Sequence, residues 1–520
     1  MRVMPRLLPL LLAVALCLPG VAHAGPRLVV LFVVDQLRAD HLDRIGPELP
    51  ADGGFRWLLD GALWPQARHE VFQAMTGPGH SAIATSAWPA RTGIALNRWF
   101  TPDGVRQYCV GDPSVTPVPD DGKGKSTPIG PANLRLPTLG DHLKVRDGNS
   151  TVVSISFKDR AATLLGGHRA DAVLWFDTKA KRWATSTAWS SALPQWILPV
   201  NEAVASELGS DPLHWPTVGP QVDRLTADAV LAAIDGLDLG GDDTTDLLLV
   251  SLSQNDYLGH WFGPLADATR RGLVDGTDRA LHRILEHLAV RVGLDDVLVG
   301  LTGDHGIPNL PTEMVAAGHS AGRVRSTPTM NALNAHLTAT LGPAAGGVWI
   351  VGTEDFNFWF AGEAVADPLT RRAAEETARA WLLGVEGIEF VITRTDRREG
   401  YLTPDVPPDA AAVIANQYVF GRSGDVVASP RPHWISGDET DGVGHMSRHD
   451  YDVTVPLFLR GAGVAPGRYA EDADAVDLTA TLSALMGLQP PDTPDGRVLQ
   501  EALPAGVPGT DPRPSAPGKR

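Results

Sequence analysis

The stretch "DVLVGLTGDHG", Asp296–Gly306, indicates the fold class of this chain. Its first part is a continuous apolar run, as expected of a parallel strand that is buried on both faces. Its last part places an aspartate, a histidine and a glycine where that strand would end, and the glycine lets the chain turn away. Open α/β sheets bind ligands just beyond the carboxyl ends of their strands. The stretch therefore predicts a buried strand that leads into a functional site.

The same kind of apolar run recurs along the chain. The other runs are "LVVLFVVD" (28–35), "TVVSISFKDR" (151–160), "LLLVSLSQND" (247–256) and "VPLFLRG" (455–461). Helix-like stretches such as "DRLTADAVLAAIDGL" (223–237) separate them, which predicts an α/β fold with a largely parallel central sheet flanked by helices. Two long intervals, around 161–245 and 308–444, are expected to hold inserted cap or lobe segments.

Polar side chains follow these runs where each strand would end. They are Asp35, the pair Lys158 and Arg160, the pair Asp256 and His260, and the pair Asp304 and His305. Any one of the aspartates could be an ordinary turn or helix cap. Because the carboxyl ends of parallel strands meet at one edge of a sheet, four such endings together predict a single polar site.

The residue types at this edge suggest metal ions. Aspartate and neutral histidine suit zinc, and manganese or iron also fit these ligand types. Asp256 and His260 are spaced i, i+4, so one helical turn would place both on the same face. His445, which precedes the last strand, is a candidate for the sixth ligand, and His449 is its competitor. Three aspartates and three histidines are enough for two cations, which ~3.5–4 Å apart clamp an in-line displacement at phosphorus.

Thr76 stands directly before a Gly-Pro-Gly segment in "QAMTGPGHSAIATS" (73–86). Two interpretations of this threonine are open from the local sequence. It could cap the following helix, or it could be a nucleophile held at the helix N-terminus, where backbone N–H groups favour negative charge. A threonine hydroxyl needs a base or a metal to become a good nucleophile.

Charge and the N-terminal segment limit the location and the partners. The net charge of −17 argues against a nucleic-acid scaffold, which would present a basic face. A basic start, an apolar run and "AHA" ending at Ala24 predict a signal peptide over 1–24, a periplasmic or extracellular protein and no stable membrane anchor. Only Cys109 then remains, so an intramolecular disulfide is excluded. Residues 25–503 are expected to form the catalytic domain, 504–520 a disordered tail, and the favoured state is a monomer.

Six segments together resemble the alkaline phosphatase superfamily, in its secreted threonine-nucleophile branch. That branch contains the atypical alkaline phosphatases and the nucleotide pyrophosphatase/phosphodiesterases. The segments are "VVDQLRADHL" (33–42), "TGPGHSAIATSAWPARTGIALNRWF" (76–100), "SFKDRAATLL" (156–165), "NDYLGHWFGP" (255–264), "LTGDHGIP" (301–308) and "GHMSRHDYDVTVPLFLRG" (444–461). They stand in the order of the family and span the chain from about Leu28 to Asp477.

The resemblance implies a role for each matched residue. Asp35, Asp304 and His305 would hold one zinc ion, which would also contact Thr76. The other zinc ion would be held by Asp256, His260 and His445. Thr76 would be the nucleophile, and Asn97, Lys158 and Arg160 would contact the phosphoryl group. Met446, Arg448 and His449 depart from the usual pattern after the last histidine ligand, and His80 is expected to make a local hydrogen bond.

The two cations Lys158 and Arg160 favour a dianionic monoester over a diester, because the monoester presents more charged oxygens. The sequence therefore predicts a secreted alkaline phosphatase that hydrolyses small phosphate monoesters through a phosphothreonine intermediate. The alternatives are a nucleotide pyrophosphatase/phosphodiesterase on the same scaffold and, less well supported, a non-catalytic phosphate-binding protein.

Overall fold

The computed structural model describes residues 25–125, 127–209, 219–438, 441–488 and 494–504. The predicted signal peptide and all but the first residue of the predicted C-terminal tail lie outside these residues. The strands within them, in chain order, are β1 Leu28–Val34, β2 Ala62–Arg68, β3 Arg98–Phe100, β4 Arg106–Tyr108, β5 Pro117–Val118, β6 Val152–Ser156, β7 Ala172–Asp177, β8 Arg182–Ser186, β9 Asp246–Leu252, β10 Val297–Gly303, β11 Gly322–Val324, β12 Ile350–Glu354, β13 Asn357–Phe360, β14 Ile388–Thr393, β15 Val426–Pro430, β16 Trp434–Ser436, β17 Thr454–Gly461 and β18 Gly467–Arg468.

Helices fill most of the intervals between the strands. The α-helices of the described residues are His41–Ile45, Gly54–Leu59, Thr76–Thr85, Pro89–Thr92, Leu139–Arg146, Asp159–Gly166, Leu198–Leu208, Val222–Leu237, Gln254–Phe262, Asp267–Arg271, Arg279–Arg291, Pro311–Ala316, Ser326–Leu341, Pro368–Leu382, Arg394–Glu399, Ala410–Gln417, Asp450–Val453 and Asp477–Leu485.

Ten strands form the central sheet, in the order β18-β2-β17-β10-β1-β9-β6-β7-β8-β5. Its middle five strands, from β10 to β7, are parallel. Strands β17 and β8 pair antiparallel on either side of this parallel block. The sequence-based prediction of an α/β fold with a largely parallel central sheet is confirmed.

The central strands are apolar throughout because both faces of the sheet are covered. In β1, Val29, Leu31 and Val33 point into one hydrophobic core, and the alternating residues Val30 and Phe32 point into the other. All seven residues of β1 are buried. Continuous rather than alternating apolar runs are therefore what this sheet requires.

The two long intervals take different places in the fold. The stretch 161–245 adds β7 and β8 to the central sheet, and its helix Val222–Leu237 packs in one of the two cores beside it. The stretch 308–444 contains a separate antiparallel sheet, in the order β12-β13-β15-β14, with a hydrophobic core of its own.

No helix within the described ranges is long and apolar enough to cross a lipid bilayer.

Candidate metal and nucleophile site

Three carboxylates meet at the carboxyl edge of the parallel strands. Asp35 directly follows β1, Asp304 directly follows β10, and Asp256 lies in the first turn of the helix Gln254–Phe262 that follows β9. The three strands are neighbours in the sheet, and all three side chains are buried. The structure thus brings together the aspartates that the sequence predicted would share one edge.

Three histidines complete this cluster. The Nε2 atom of His260 lies 3.2 Å from Asp256 Oδ1, so the i, i+4 pair faces one way as predicted. The ring of His445 lies between the other two, with its centroid 3.8 Å from that of His305 and 5.1 Å from that of His260. The six proposed ligands therefore form one continuous group.

The shortest distances divide this group differently from the ligand sets that the family resemblance implies. Two trios have ligand atoms within 4.8 Å of one another: Asp256, His305 and His445, and Asp35, His80 and Asp304. The resemblance instead assigns His305 to the set of Asp35 and Asp304. Its Nε2 atom is 3.5 Å from an oxygen of each of these aspartates, so His305 borders both trios.

The rings of the three predicted histidine ligands are held in the same way. In each ring Nδ1 lies against a backbone carbonyl. The acceptors are the carbonyls of Val443 for His260 at 2.7 Å, Gly306 for His305 at 2.9 Å and Ala74 for His445 at 2.7 Å. Because a carbonyl can only accept, Nδ1 carries a proton in each ring, and whenever the ring is neutral Nε2 keeps its lone pair for a ligand. Such outer hydrogen bonds are typical of histidines that bind metal ions.

His80 does not have a nitrogen available for a metal ion. Its Nδ1 lies 2.9 Å from the carbonyl oxygen of Thr76 and 3.0 Å from Asp304 Oδ2, and its Nε2 lies 2.8 Å from Ser251 Oγ. The ring thus connects the start of the helix Thr76–Thr85 to Asp304 and β9. Its position agrees with the predicted local hydrogen bond rather than with its place in the trio.

The carboxylates of the cluster are short of partners. Asp35 Oδ1 is buried and accepts no hydrogen bond within the described residues, while Asp304 Oδ2 lies 3.0 Å from His80 Nδ1. The ammonium group of Lys158 is 2.6 Å from Asp35 Oδ2 and also contacts Asp256. One ammonium group faces three buried carboxylates, and buried charges need compensation. The donor set therefore fits cations in addition to Lys158.

The electrostatics of the cluster follow from this imbalance. Burial raises the pKa of Asp35 well above its ordinary value, and the nearby Asp256 and Asp304 carboxylates raise it further. Burial also opposes ionisation of Asp256, but Lys158 and His260 outweigh it and hold that pKa well below its ordinary value. Burial lowers the pKa of His445, as do the neighbouring histidine rings, so His445 is neutral, as a metal ligand must be.

Thr76 is the first residue of the helix Thr76–Thr85, and its side chain does not cap that helix. The preceding Met75 occupies the cap position, and the side chain of this residue makes no cap hydrogen bond. The buried hydroxyl of Thr76 lies 3.4 Å from His305 Nε2 and accepts a hydrogen bond from Arg160 at 3.2 Å. The interpretation of Thr76 as a plain cap is therefore wrong, because its hydroxyl points into the cluster.

The glycines after Thr76 let two other parts of the site approach this helix. A Cβ atom at Gly79 would lie 2.2 Å from the carbonyl oxygen of Asp304, and one at Gly77 would lie 2.9 Å from Asn97 Oδ1. The N–H of Gly77 donates to Asn97 Oδ1 at 2.7 Å. With its oxygen engaged there, Asn97 keeps its NH₂ group available as a donor.

Lys158 and Arg160 separate two cavities beside the cluster. One, of about 650 Å³, is also lined by Asp256 and His260. The other, of about 670 Å³, lies toward the hairpin of β7 and β8. The guanidinium group of Arg160 and the ammonium group of Lys158 thus stand between the cavity that Asp256 and His260 line and the second cavity.

Gln36 is a site residue that the sequence interpretation missed. It has a left-handed backbone conformation, with φ of 66°. Its backbone N–H donates to Asp304 Oδ1 and its side-chain Nε2 donates to Asp256 Oδ1, both at 3.0 Å. Gln36 therefore joins two carboxylates of the cluster. Its position directly after Asp35 was the available signal.

Asp452 is a second missed residue, although it lies in the quoted segment 444–461. Its Oδ2 accepts hydrogen bonds from the N–H groups of Met446 and Ser447 and from the Ser447 hydroxyl, at 3.2, 2.8 and 2.6 Å. Its backbone carbonyl accepts the N–H of Gly306 at 2.7 Å. Asp452 thus connects the segment after His445 to the residue that follows His305.

The residues that depart from the family pattern, Met446, Arg448 and His449, lie in this loop. Met446 has a positive φ of 119°, and Asp452 holds its N–H group. Arg448 pairs with Glu389. The ring of His449 contacts the carbonyl of Pro430 at 3.0 Å, so His449 lies apart from the cluster and His445 is the histidine at the site.

Comparison with known proteins agrees with this geometry. The sequence profile of the type I phosphodiesterase / nucleotide pyrophosphatase family matches residues 29–452. The alkaline phosphatase PafA of Elizabethkingia meningoseptica is 28% identical over 92% of this chain and 94% of its own length. The alkaline phosphatase PhoV of Synechococcus elongatus is 29% identical over 92% and 93%. A Myroides odoratus protein named calcium-transporting ATPase is 29% identical over 92% and 95%.

Solved structures show the same relationship. The crystal structure of wild-type PafA superposes with a TM-score of 0.84 at 26% identity, over 92% of this chain and 99% of PafA. A PafA mutant that superposes with a TM-score of 0.83 carries substitutions of a threonine, an asparagine, a lysine and an arginine. These four residue types stand in the same order as Thr76, Asn97, Lys158 and Arg160 in this chain.

Proposed function

We propose that this chain, a member of the type I phosphodiesterase / nucleotide pyrophosphatase family, is an alkaline phosphatase that hydrolyses small phosphate monoesters at Thr76. The observation that carries this proposal is the position of two cations beside the threonine hydroxyl. Arg160 donates to Thr76 Oγ1 at 3.2 Å, and Lys158 lies at the adjacent carboxylates. A monoester dianion has more charged oxygens for these groups than a diester has. The likeness to alkaline phosphatases over most of the chain supports the same activity.

The donor set fits two divalent cations, and zinc suits its mixture of carboxylates and imidazoles. Asp35, Asp304 and His305, with the Thr76 hydroxyl, would hold one ion, and the other set would be Asp256, His260 and His445. Bound cations would supply positive charge that favours an ionised Thr76 hydroxyl and a negatively charged leaving oxygen. The buried Asp35 Oδ1, which accepts no hydrogen bond, and the Nε2 atoms of His260 and His305, which face the carboxylates, support this fit.

The chain's own groups then carry out a double displacement. Thr76 Oγ1 gives up its proton to solvent and attacks phosphorus, the ester P–O bond breaks, and the alcohol oxygen leaves with the bonding electrons and takes up a proton from solvent. A water molecule then attacks the phosphothreonine, which releases inorganic phosphate and restores the hydroxyl. Asn97, through its free NH₂ group, and Arg160 donate hydrogen bonds to the equatorial oxygens, and Lys158 compensates their charge. Such positioning and electrostatic stabilisation are the main protein contributions to phosphoryl transfer.

A phosphodiesterase is the second candidate, and one observation favours it. The cavity of about 670 Å³ on the far side of Lys158 and Arg160 is lined by the aromatic residues Tyr108, Trp175 and Phe176. A diester needs room for a second, largely apolar substituent beside the phosphoryl group. Lys158 and Arg160 nevertheless favour the monoester, because their positive charges stand between this cavity and the carboxylate cluster.

A combined measurement tests the proposal: metal analysis of the purified protein together with kcat/KM for a phosphate monoester and a diester. About two zinc ions per chain and a clear preference for the monoester are expected. A preference for the diester would favour the second candidate, and full activity in metal-free protein would exclude the two-cation site.

The leader segment supports a further part of the proposal, that the enzyme acts in the periplasm or outside the cell. N-terminal sequencing of active protein from its native host is expected to start at Gly25. An intact leader on the active protein would contradict this location.

A further inference from the structure

The cavity of about 650 Å³ beside the carboxylate cluster has a catalytic side and an outer side. On the catalytic side it is lined by Lys158, Asp256 and His260. The outer side includes Trp261, which directly follows His260 on the helix Gln254–Phe262. The indole ring therefore borders the space beside the catalytic side.

Trp261 is unusual in its exposure. Its side chain is 53% exposed, whereas the other tryptophans of the described ranges are buried or half-buried. Aromatic side chains that are apolar, rigid and open to a cavity are typical of ligand-binding surfaces. The exposure of Trp261 therefore indicates that a ligand packs on its ring.

The position of Trp261 is fixed by its neighbour in the chain. The carbonyl oxygen of His260 accepts the N–H of Val443 at 2.9 Å, and the His260 ring lies 2.7 Å from the Val443 carbonyl. These two contacts pin the end of the helix to the loop that leads to His445. The indole is thus presented from a rigid base directly beside a proposed metal ligand.

The reaction direction decides which part of the substrate would meet this ring. This step rests on the proposed function. In an in-line displacement the alcohol leaves on the side of phosphorus opposite Thr76. Asp256, His260 and His445 form the set that would face the leaving oxygen, and the cavity with Trp261 adjoins that set. The alcohol part of the monoester therefore enters this cavity.

The other residues that line the cavity determine which charge and which shape of the alcohol part the cavity can accept. Outside the catalytic groups, the charged residues of the lining are Arg323, Asp438 and Asp441. The Arg323 guanidinium group already donates to a backbone carbonyl, whereas Asp441 is exposed at the rim. This acidic balance disfavours a second negative charge on the substrate, and three glycines of the lining, at 437, 442 and 444, leave room for a flat group.

We propose that Trp261 is a specificity residue on which the neutral, planar alcohol part of an aryl or nucleoside phosphate stacks during hydrolysis. Stacking of a ring on an aromatic side chain is insensitive to the polar substituents of the ring. The enzyme should then accept many planar monoesters and discriminate against small aliphatic ones.

The test compares 1-naphthyl phosphate with methyl phosphate for the wild type and three variants. Trp261→Ala is expected to lower kcat/KM for 1-naphthyl phosphate by about ten-fold or more, chiefly through KM, and to change that for methyl phosphate less than two-fold. Trp261→Phe should recover most of the loss, because it keeps an aromatic ring. Phe262→Ala is the matched control, since Phe262 is the next residue, is 38% exposed and is not part of the cavity lining.

A binding measurement separates this inference from the proposed function. Titration calorimetry with adenosine should show binding to the wild type and at least five-fold weaker binding to Trp261→Ala, while Phe262→Ala binds like the wild type. Equal losses on both monoesters, or unchanged adenosine binding in Trp261→Ala, would overturn the role of Trp261. Failure of the wild type to hydrolyse either monoester would instead overturn the proposed function, and adenosine binding would still test the platform.

Discussion

Thr76 owes its proposed reactivity to the position of one hydroxyl oxygen. The residue begins a helix, so its backbone is in the place where a helix binds anions. Its hydroxyl lies within 3.5 Å of both His305 Nε2 and an Arg160 nitrogen. The cationic donor Arg160 favours a negatively charged oxygen, and a cation held by His305 would favour it as well.

Replacement of Thr76 by alanine should abolish the proposed covalent route and leave the other six proposed metal ligands unchanged. Monoester turnover is expected to fall by several orders of magnitude, because the attacking oxygen is gone. Steady-state kinetics with zinc-loaded protein, together with metal analysis, would measure this. Thr76→Ser is the matched control and should retain much more activity, because it keeps the hydroxyl; near-normal turnover in Thr76→Ala would show that Thr76 is not the nucleophile.

Lys158 has two possible tasks, and its contacts separate them. Its ammonium group lies against Asp35 and Asp256, whereas the family resemblance has it contact the phosphoryl group. Bound cations would compete with the ammonium group for these carboxylates, which would release it toward a substrate. A positive charge in this place should therefore weaken metal binding and strengthen monoester binding.

The variant Lys158→Ala tests both effects at once. Its kcat/KM for a monoester should fall by about 10²–10³, which corresponds to ~3–4 kcal/mol of lost transition-state stabilisation. The rate with a diester should fall much less, because a diester carries one negative charge fewer. Zinc affinity, measured by calorimetry, should be at least that of the wild type, and Lys123→Ala, an exposed lysine away from the cluster, should change neither quantity. Equal losses on both substrates would contradict this charge argument.

The loop from His445 to Asp452 acts as one unit because a single carboxylate organises it. Asp452 is not one of the proposed metal ligands, yet its side chain accepts three hydrogen bonds from Met446 and Ser447. It also carries the contact to Gly306, so two ligand-bearing loops depend on one short helix, Asp450–Val453. The placement of His445 relative to His305 follows from this arrangement.

Asp452 should also make stability depend on pH. Burial raises its pKa to about 7 from an ordinary value of 3.8, although its hydrogen bonds from Ser447 and Met446 oppose the rise. Because the folded state then binds more protons than the unfolded state between about pH 4 and pH 7, the free energy of unfolding falls as pH rises through that window. In Asp452→Asn this contribution disappears, while the amide oxygen can still accept the loop hydrogen bonds.

Urea unfolding of the metal-free protein at several pH values would measure the difference. The variant Asp452→Asn should lose less stability than the wild type between about pH 4 and pH 7. Asp450→Asn, on the same helix but exposed, should follow the wild type. Identical pH slopes for Asp452→Asn and the wild type would show that Asp452 does not titrate in this range.

The sequence predicted the strands and the acidic residues of the site better than the contacts that join these residues. Runs such as "LVVLFVVD" could be recognised because a strand buried on both faces must be apolar throughout, and the acids at their ends then follow from the sheet edge. Gln36 and Asp452 could not be found in this way, since their roles depend on contacts with Asp304 and Gly306, far away in the chain. The ion pairs of Lys158 were also invisible in the sequence, because spacing does not show which group an ammonium contacts.

The two long intervals illustrate the same limit for larger parts of the chain. Both intervals interrupt the regular alternation of strand and helix, so the sequence alone does not show that they take different places in the fold. Only pairing between distant strands shows that β7 and β8 extend the central sheet, whereas β12 to β15 form their own sheet and core. Pairing partners of this kind are set by tertiary contacts that local patterns do not encode.

Metal removal should weaken the whole molecule and not only the reaction. Ligands for the proposed ions come from segments that also form the centre of the sheet, and an ion that binds only the folded state stabilises it by mass action. Treatment with a chelator is expected to lower the melting temperature by several degrees, and added zinc should restore it. Calorimetric melting curves of treated and reloaded protein would measure this; an unchanged melting temperature would indicate that the cluster binds no ion tightly.

The proposed ligands have a consequence for the order in which the protein matures. Asp35 leaves the ribosome early, and His445 emerges only after nearly the whole chain has been made. The ring of His445 rests on the carbonyl of Ala74, and that of His260 rests on the carbonyl of Val443, so segments far apart in the chain orient these two histidines. A nascent or truncated chain that stops before Val443 would therefore lack both His445 and the carbonyl that orients His260.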